Sequence, residues 1–179
     1  MHPLFARLDR QLARATKEFS NVEAAEARDL KLKTMGSGLY NKWAHNASIA
    51  EGIRAIYGGL ESILLTIAKA TDAFDPSGES WHADLIGTMA DPLEDIRPAV
   101  ISAKTRDLLD SIRGFRHVVN HKYALELKRP LVQRNLKTLR QLVPLFERDY
   151  RVFVKFMTKE ETSGSRGTAP PPAGRSRKR

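Results

Sequence analysis

The chain has 179 residues, 41% of them hydrophobic, a formal net charge of +9 and no cysteine. That length and apolar share describe one globular domain with room for a substantial core and argue against wholesale disorder. The lack of thiols excludes disulfides, thiolate metal sites, iron–sulfur ligation and cysteine nucleophiles, and it fits a reducing cytosol.

The opening stretch, M-H-P-L-F-A-R-L-D-R, lacks the long apolar run of a signal peptide. No segment approaches the roughly 20 apolar residues that cross a bilayer. The expectation is a soluble, cytoplasmic protein that is not in a membrane. The first helix follows from Phe5, Leu8, Leu12, Ala15, Phe19 and Val22, which recur at spacings of three and four with Lys and Arg on the other face. Ala24 to Lys33 is also compatible with helix, and Met35-Gly36-Ser37-Gly38 breaks it as a hinge.

A second helix is expected from about Leu39 to Ala73, with Trp43, Ala47, Ala50, Ile53, Tyr57, Leu60, Leu64 and Ile67 as its apolar positions. Gly58-Gly59 permits a bend or a close approach by another helix. Phe74-Asp75-Pro76-Ser77-Gly78 ends it by turn chemistry. A short helix from about Ser80 to Met89 follows, with Ser80 as its N-cap. Asp91-Pro92 opens the next segment and Pro98 interrupts it.

The fourth main helix is expected from about Ala99 to Val119 or slightly beyond, and the fifth from about Leu131 to Lys159 after Lys128-Arg129-Pro130 breaks the chain. The fifth carries Leu136, Leu139, Val143, Phe146, Tyr150, Phe153 and Phe156, with Pro144 as a kink. No alternating strand pattern competes. The fold class is all-α, a four- to five-helix up-and-down bundle. Its expected organisation is an N-terminal helix and hinge over 1–38, a helical bundle over 39–159 and a disordered basic tail over 160–179. The tail has five Lys/Arg against two Asp/Glu, a net of +3, which leaves +6 for the body. A basic balance of this size favours polyanionic partners, RNA first, through counterion release.

The run Arg116-His117-Val118-Val119-Asn120-His121-Lys122-Tyr123 places a permanently charged phosphate binder near side chains that gain or lose a proton close to neutral pH. On a helical wheel Ile101, Leu108, Ile112, Phe115 and Val119 lie within roughly 60° and form the buried stripe. With Arg116 at zero, Asn120 lies near about 40°, Arg113 near about 60°, His117 near about 100° and His121 near about 140°. Tyr123 returns to within about 20° of Arg116 if the helix reaches it.

Such a polar arc suits phosphodiester chemistry. An arginine fork holds a non-bridging oxygen, and a histidine takes a proton from a ribose 2′-hydroxyl or gives one to the leaving 5′-oxygen. The internal nucleophile removes the need for a metal or other cofactor. A complete acid–base pair needs a second histidine, from His117 or from another subunit. The same arc also fits a non-enzymatic module that holds RNA or a partner protein, or an adaptor that only packs helices against partner helices. His45 and Glu51 share no helix face and form no ligand set, and His82 is expected at a cap or rim. Glu51 and Glu61 are expected as structural partners of the motif-helix arginines.

The motif resembles the signature of the HEPN superfamily, an arginine followed after four to six residues by a histidine. Tyr123 extends it to R-x-x-x-x-H-x-Y, the form found in HepT-like toxins. A-E-G-I-R-A-I-Y-G-G-L-E, the S-W-H-A-D-L-I segment, the motif helix and the long last helix are similar to that group, over roughly Ser48 to Met157. The resemblance implies a helical domain that forms a homodimer with both motif copies facing one cleft. It implies metal-independent cleavage of an RNA substrate, with Arg116 and His121 as the catalytic pair and His117 assisting. It also implies an antitoxin partner, a nucleotidyltransferase of the MNT type that adenylylates Tyr123.

Overall fold

The computed structural model describes the backbone of residues 3–32, 39–121 and 127–164, with side chains in these ranges except at 29–32, 39–41, 121 and 160–164. Five helices appear: α1 (Pro3–Leu32), α2 (Leu39–Thr71), α3 (Trp81–Ala90), α4 (Ala103–His121) and α5 (Arg129–Gly164). Among the described residues the only bridge of β type is an isolated one between Leu93 and Arg97. The fold class read from the sequence is therefore the observed one. The hinge at residues 33–38, and the tail from residue 165 whose disorder the sequence suggests, lie outside the described residues.

The central element is α2, which packs against each of the other four helices. Its sequence explains this position. Ile49, Ile53, Ile56, Leu60, Ile63 and Ile67 are buried, and so are Tyr57, Leu64 and Ala68. A helix apolar on several faces is stable only where neighbours cover those faces. Trp43, expected in the apolar stripe, is instead 37% exposed, because it lies before Ile49, where the continuous buried face begins.

The most extensive packing joins α1 to α2. Gln11 meets Ser62, a Cβ at Gly59 would touch Ala15, Val22 packs on Gly52, and Glu26 meets His45. Residue numbers rise on one helix as they fall on the other, so the pair is antiparallel. The closest approach is at Gly52, where an added Cβ would overlap the stiff Val22 side chain. The expected Gly58-Gly59 approach is real only at Gly59, since the space beside Gly58 is open.

Helix α5 runs back along α1, with Tyr150 bonded to Asp9 at 2.8 Å and Phe5 set edge-on to Phe153. It begins at Arg129, so Pro130 opens the helix rather than breaking the chain before it. Proline suits a first turn, where its missing N–H has no intrahelical acceptor to satisfy. It continues on both sides of Pro144, which is exposed, so water can satisfy the carbonyl that Pro144 leaves without a donor. The apolar stripe of α5 ends at buried Phe153, and Phe156 is 44% exposed.

The two connections around α3 are fixed by polar contacts. Gly78 takes a positive φ of 80° in the expected turn. Ser80 stands at the N-cap of α3, but its side chain does not cap the helix. Its backbone is helical rather than extended, which is the wrong geometry for a cap, and its hydroxyl donates to Asp84 at 2.8 Å instead. After α3, the Val100 and Ile101 N–H groups both donate to Met89 O at 2.9 and 3.2 Å. That pins the chain, and α4 starts at Ala103 rather than Ala99. Ser102 then caps α4 through Thr105 N–H at 3.3 Å, and Asp149 of α5 accepts from Ser102 N–H at 2.8 Å and from the Thr105 hydroxyl at 2.6 Å.

Arg97 ties these pieces together. Its guanidinium donates twice to the Asp72 carboxylate, and to the carbonyls of Thr88, Asp91 and Pro98. All five of its N–H donors are used, and the Arg97 and Asp72 side chains are 1% and 6% exposed. Burial acts to raise the Asp72 pKa, but hydrogen bonds from Arg97 and Thr71 and the Arg97 charge outweigh it and hold the carboxyl below its usual range.

Removing one partner of such a buried pair leaves the other charge uncompensated. Arg97→Ala is therefore expected to lower stability by about 3 to 5 kcal/mol in urea denaturation. The stabilisation from Asp72 is fully present above the pKa of an unfolded aspartate, about 4. It is lost as the pH falls from there through the lower folded-state value. Thermal unfolding between pH 5 and 2 checks this: the wild-type midpoint falls with pH in that window, more steeply than that of Asp72→Asn.

Candidate functional site

The sequence puts Arg113, Arg116, His117 and Asn120 on one arc of α4, and the fold gives that arc a cavity. These four side chains line a cavity of about 460 Å³, together with Gly114 and with Glu79 and His82 from the neighbouring segment. The buried stripe of α4 is formed by Leu108, Leu109, Ile112 and Phe115, with Val119 half-buried. Ile101 is buried too, but it precedes the helix. The motif's polar face thus stands beside the core, as the wheel requires.

Arg116 is placed by buried groups rather than by solvent. Its Nη1 lies 3.5 Å from Glu61 Oε1, and its guanidinium carbon stands 5.9 Å from the centre of the Tyr57 ring. Glu61 is buried. The same Oε1 accepts from the Tyr57 hydroxyl at 3.1 Å and lies 2.7 Å from His82 Nδ1. An ionised carboxylate only accepts, so His82 Nδ1 is the donor to Glu61, and a neutral ring so held carries its lone pair on Nε2. Burial first, and then the charge of and hydrogen bond to Glu61, push the Tyr57 pKa far up, with Arg116 and Arg113 opposing in part. Tyr57 therefore stays a protonated donor.

Two expectations about acidic partners separate here. Glu61 does reach a motif-helix arginine, Arg116. Glu51 does not: it pairs with Arg54 one turn along on its own helix. The short intrahelical partner is available before any long-range one. His45 bonds to Glu26 of α1 at 2.9 Å. His82 is not a rim residue, because its side chain is only 21% exposed and is held between Glu61, Arg116 and the ring of Trp81, whose centroid is 3.6 Å away.

Arg113 pairs with Asp110 at 3.2 Å, both about two-fifths exposed. A surface pair of that kind is worth no more than about 1 kcal/mol, so breaking it costs little. The His121 side chain and all of Tyr123 lie outside the described residues. His121 is the last residue of α4. Among the described residues no group of three or more His, Asp or Glu side chains gathers as a metal site, and no helix is long and apolar enough to cross a membrane.

The chemistry of the lining suits an anion, with groups capable of proton transfer at its wall. Two guanidinium groups and two imidazoles face it, against one carboxylate, Glu79, in the lining. Arginine forks match the oxygens of a phosphate, and imidazoles move protons near neutral pH.

A family model described as HepT-like protein matches residues 48–157. That span holds most of α2, all of α3 and α4, and α5 as far as Met157; α1 lies outside it. Comparison with curated proteins and with solved structures finds no match.

Replacing Glu61 tests whether its carboxylate organises the cavity. Glu61→Ala leaves Tyr57, His82 and Arg116 without their common acceptor and is expected to cost about 2 kcal/mol in urea denaturation. Glu61→Gln keeps a carbonyl acceptor at that place and is expected to cost less than about half of that.

Proposed function

This chain belongs to the HepT-like protein family, and on that premise we propose that it is a metal-independent endoribonuclease, the toxin of a toxin–antitoxin pair. The observation that carries the reading is the convergence of the motif face on one cavity: Arg113, Arg116, His117 and Asn120 share it. In the proposed reaction Arg116 binds a non-bridging oxygen of the scissile phosphate and stabilises charge that grows as phosphorus is attacked. The ribose 2′-oxygen attacks phosphorus and the bond to the 5′-oxygen breaks. His121 moves a proton in that step, while Arg113, His117 and Asn120 hold the sugar-phosphate backbone.

The assembly belongs to the same proposal. Two chains pair with their motif faces toward one cleft, which would double the positive lining available to an RNA strand and strengthen its binding through counterion release. The partner is a nucleotidyltransferase antitoxin of the MNT type. It silences the toxin by transferring an adenylyl group from ATP to the Tyr123 hydroxyl with release of pyrophosphate, which adds bulk and negative charge two residues beyond His121.

Arg116→Ala and His121→Ala are each expected to abolish toxicity and RNA cleavage while the circular dichroism and the molar mass by light scattering stay as in the wild type. RNA bound but not cut by wild-type protein, with equal binding by His121→Ala, would assign the chain instead to the non-enzymatic binding modules. Co-expression with a nucleotidyltransferase of the MNT type should raise the intact mass by whole adenylyl units, and Tyr123→Phe should remove that increase.

A further inference from the structure

One histidine cannot both accept the 2′-hydroxyl proton and donate to the 5′-oxygen in the same step, so the proposed cleavage needs a second proton-transfer group. We propose that His82 of α3 is that group, the general base that takes the 2′-hydroxyl proton. The inference rests on the ribonuclease reading above.

Three observations support it. His82 lines the cavity that holds Arg116, His117 and Asn120. Its Nδ1–H is held by Glu61 at 2.7 Å, and Glu61 is fixed in turn by the Tyr57 hydroxyl at 3.1 Å. A histidine oriented by a carboxylate that is itself oriented by a third group is the arrangement of an activated base. It fixes the tautomer with the lone pair on Nε2, and it stabilises the imidazolium formed when Nε2 takes a proton.

The third observation concerns Arg116. Its Nη1 lies 3.2 Å from His82 Nδ1 and 3.0 Å from Nε2. An Arg116 N–H is directed at the imidazole nitrogens, so the guanidinium sits against the ring. It also sets Nε2 about one hydrogen-bond length from the group that would grip the phosphate, where the adjacent 2′-hydroxyl arrives.

The proton balance closes. His82 Nε2 takes the 2′-hydroxyl proton as the 2′-oxygen bonds to phosphorus. Protonated His121 gives its proton to the 5′-oxygen as that bond breaks. The products are a 2′,3′-cyclic phosphate and a 5′-hydroxyl, and solvent exchange resets both rings. The charged and titratable groups facing His82 are Glu61 and Tyr57 from α2, Arg113, Arg116 and His117 from α4, and Glu79 just before α3.

The test compares wild type and His82→Asn on a single-stranded RNA oligonucleotide. Asparagine keeps an N–H near the position of Nδ1 for Glu61 but cannot take the proton. His82→Asn is expected to bind a 2′-deoxy-substituted, uncleavable oligonucleotide with wild-type affinity. Its kcat should fall by about 10²- to 10⁴-fold, and its rate should lose the acidic limb of the pH profile, the limb along which a base becomes protonated. An unchanged rate and pH profile in His82→Asn, with wild type active, would overturn the assignment of His82 and leave the ribonuclease reading standing. An inactive wild type would overturn both. If His82→Asn fails to fold, His82→Ala with added imidazole decides: recovery of rate that saturates with imidazole supports the base, and no recovery contradicts it.

Discussion

A single buried oxygen, Glu61 Oε1, organises the functional face of this protein. Tyr57, His82 and Arg116 all converge on it, which joins α2, α3 and α4 at one point. A buried carboxylate is costly unless its lone pairs are filled, so the three donors are required by stability as much as by function. The consequence for Arg116 is geometric. A surface arginine samples many rotamers, whereas this one is held over Tyr57 and His82 by an acceptor on the central helix. On the proposed reading an incoming phosphate would meet a guanidinium already in place, which lowers the ordering cost of binding.

The scaffold around that point is built to keep α2 central. Helix α1 lies outside the family match, yet it covers a whole face of α2 through Ala15 at Gly59 and Val22 at Gly52. Phe5, Leu8 and Leu12 belong to the same core as Leu136, Val143 and Phe153 of α5. At the other end Arg97 locks the chain that enters α4 against the end of α2 through Asp72. That lock fixes where α4 begins, and so where its polar face points.

Much of this was legible in the sequence because it is local. The spacing of Phe5, Leu8, Leu12 and Ala15 gives α1, and all four are buried. The α4 wheel places Arg113, Arg116, His117 and Asn120 together, and they line one cavity. What the sequence concealed depends on contacts between distant segments. His82 reads as a rim residue until α3 folds back and brings it to Glu61, 21 positions away, and to Arg116, 34 positions away. Arg97 looks like one more exposed cation until its five acceptors assemble. Gly52 carries no turn signal, and only the approach of Val22 from α1 shows why a side chain is absent there. Glu51 and Glu61 were both expected to pair with motif-helix arginines, and the difference is that Arg54 stands within reach of Glu51 on its own helix.

The central claim is that the α4 cavity cuts RNA through the ribose 2′-oxygen without a metal. It is tested most directly by the ends of the fragments. Purified protein in excess chelator is incubated with an RNA oligonucleotide, and with the same oligonucleotide carrying a single 2′-O-methyl group at the scissile residue. The products are resolved by mass spectrometry. The account requires fragments ending in 2′,3′-cyclic phosphate and 5′-hydroxyl, and no cleavage at the methylated residue. Cleavage that persists at the methylated residue, that depends on a divalent ion, or that leaves 5′-phosphate ends would contradict it.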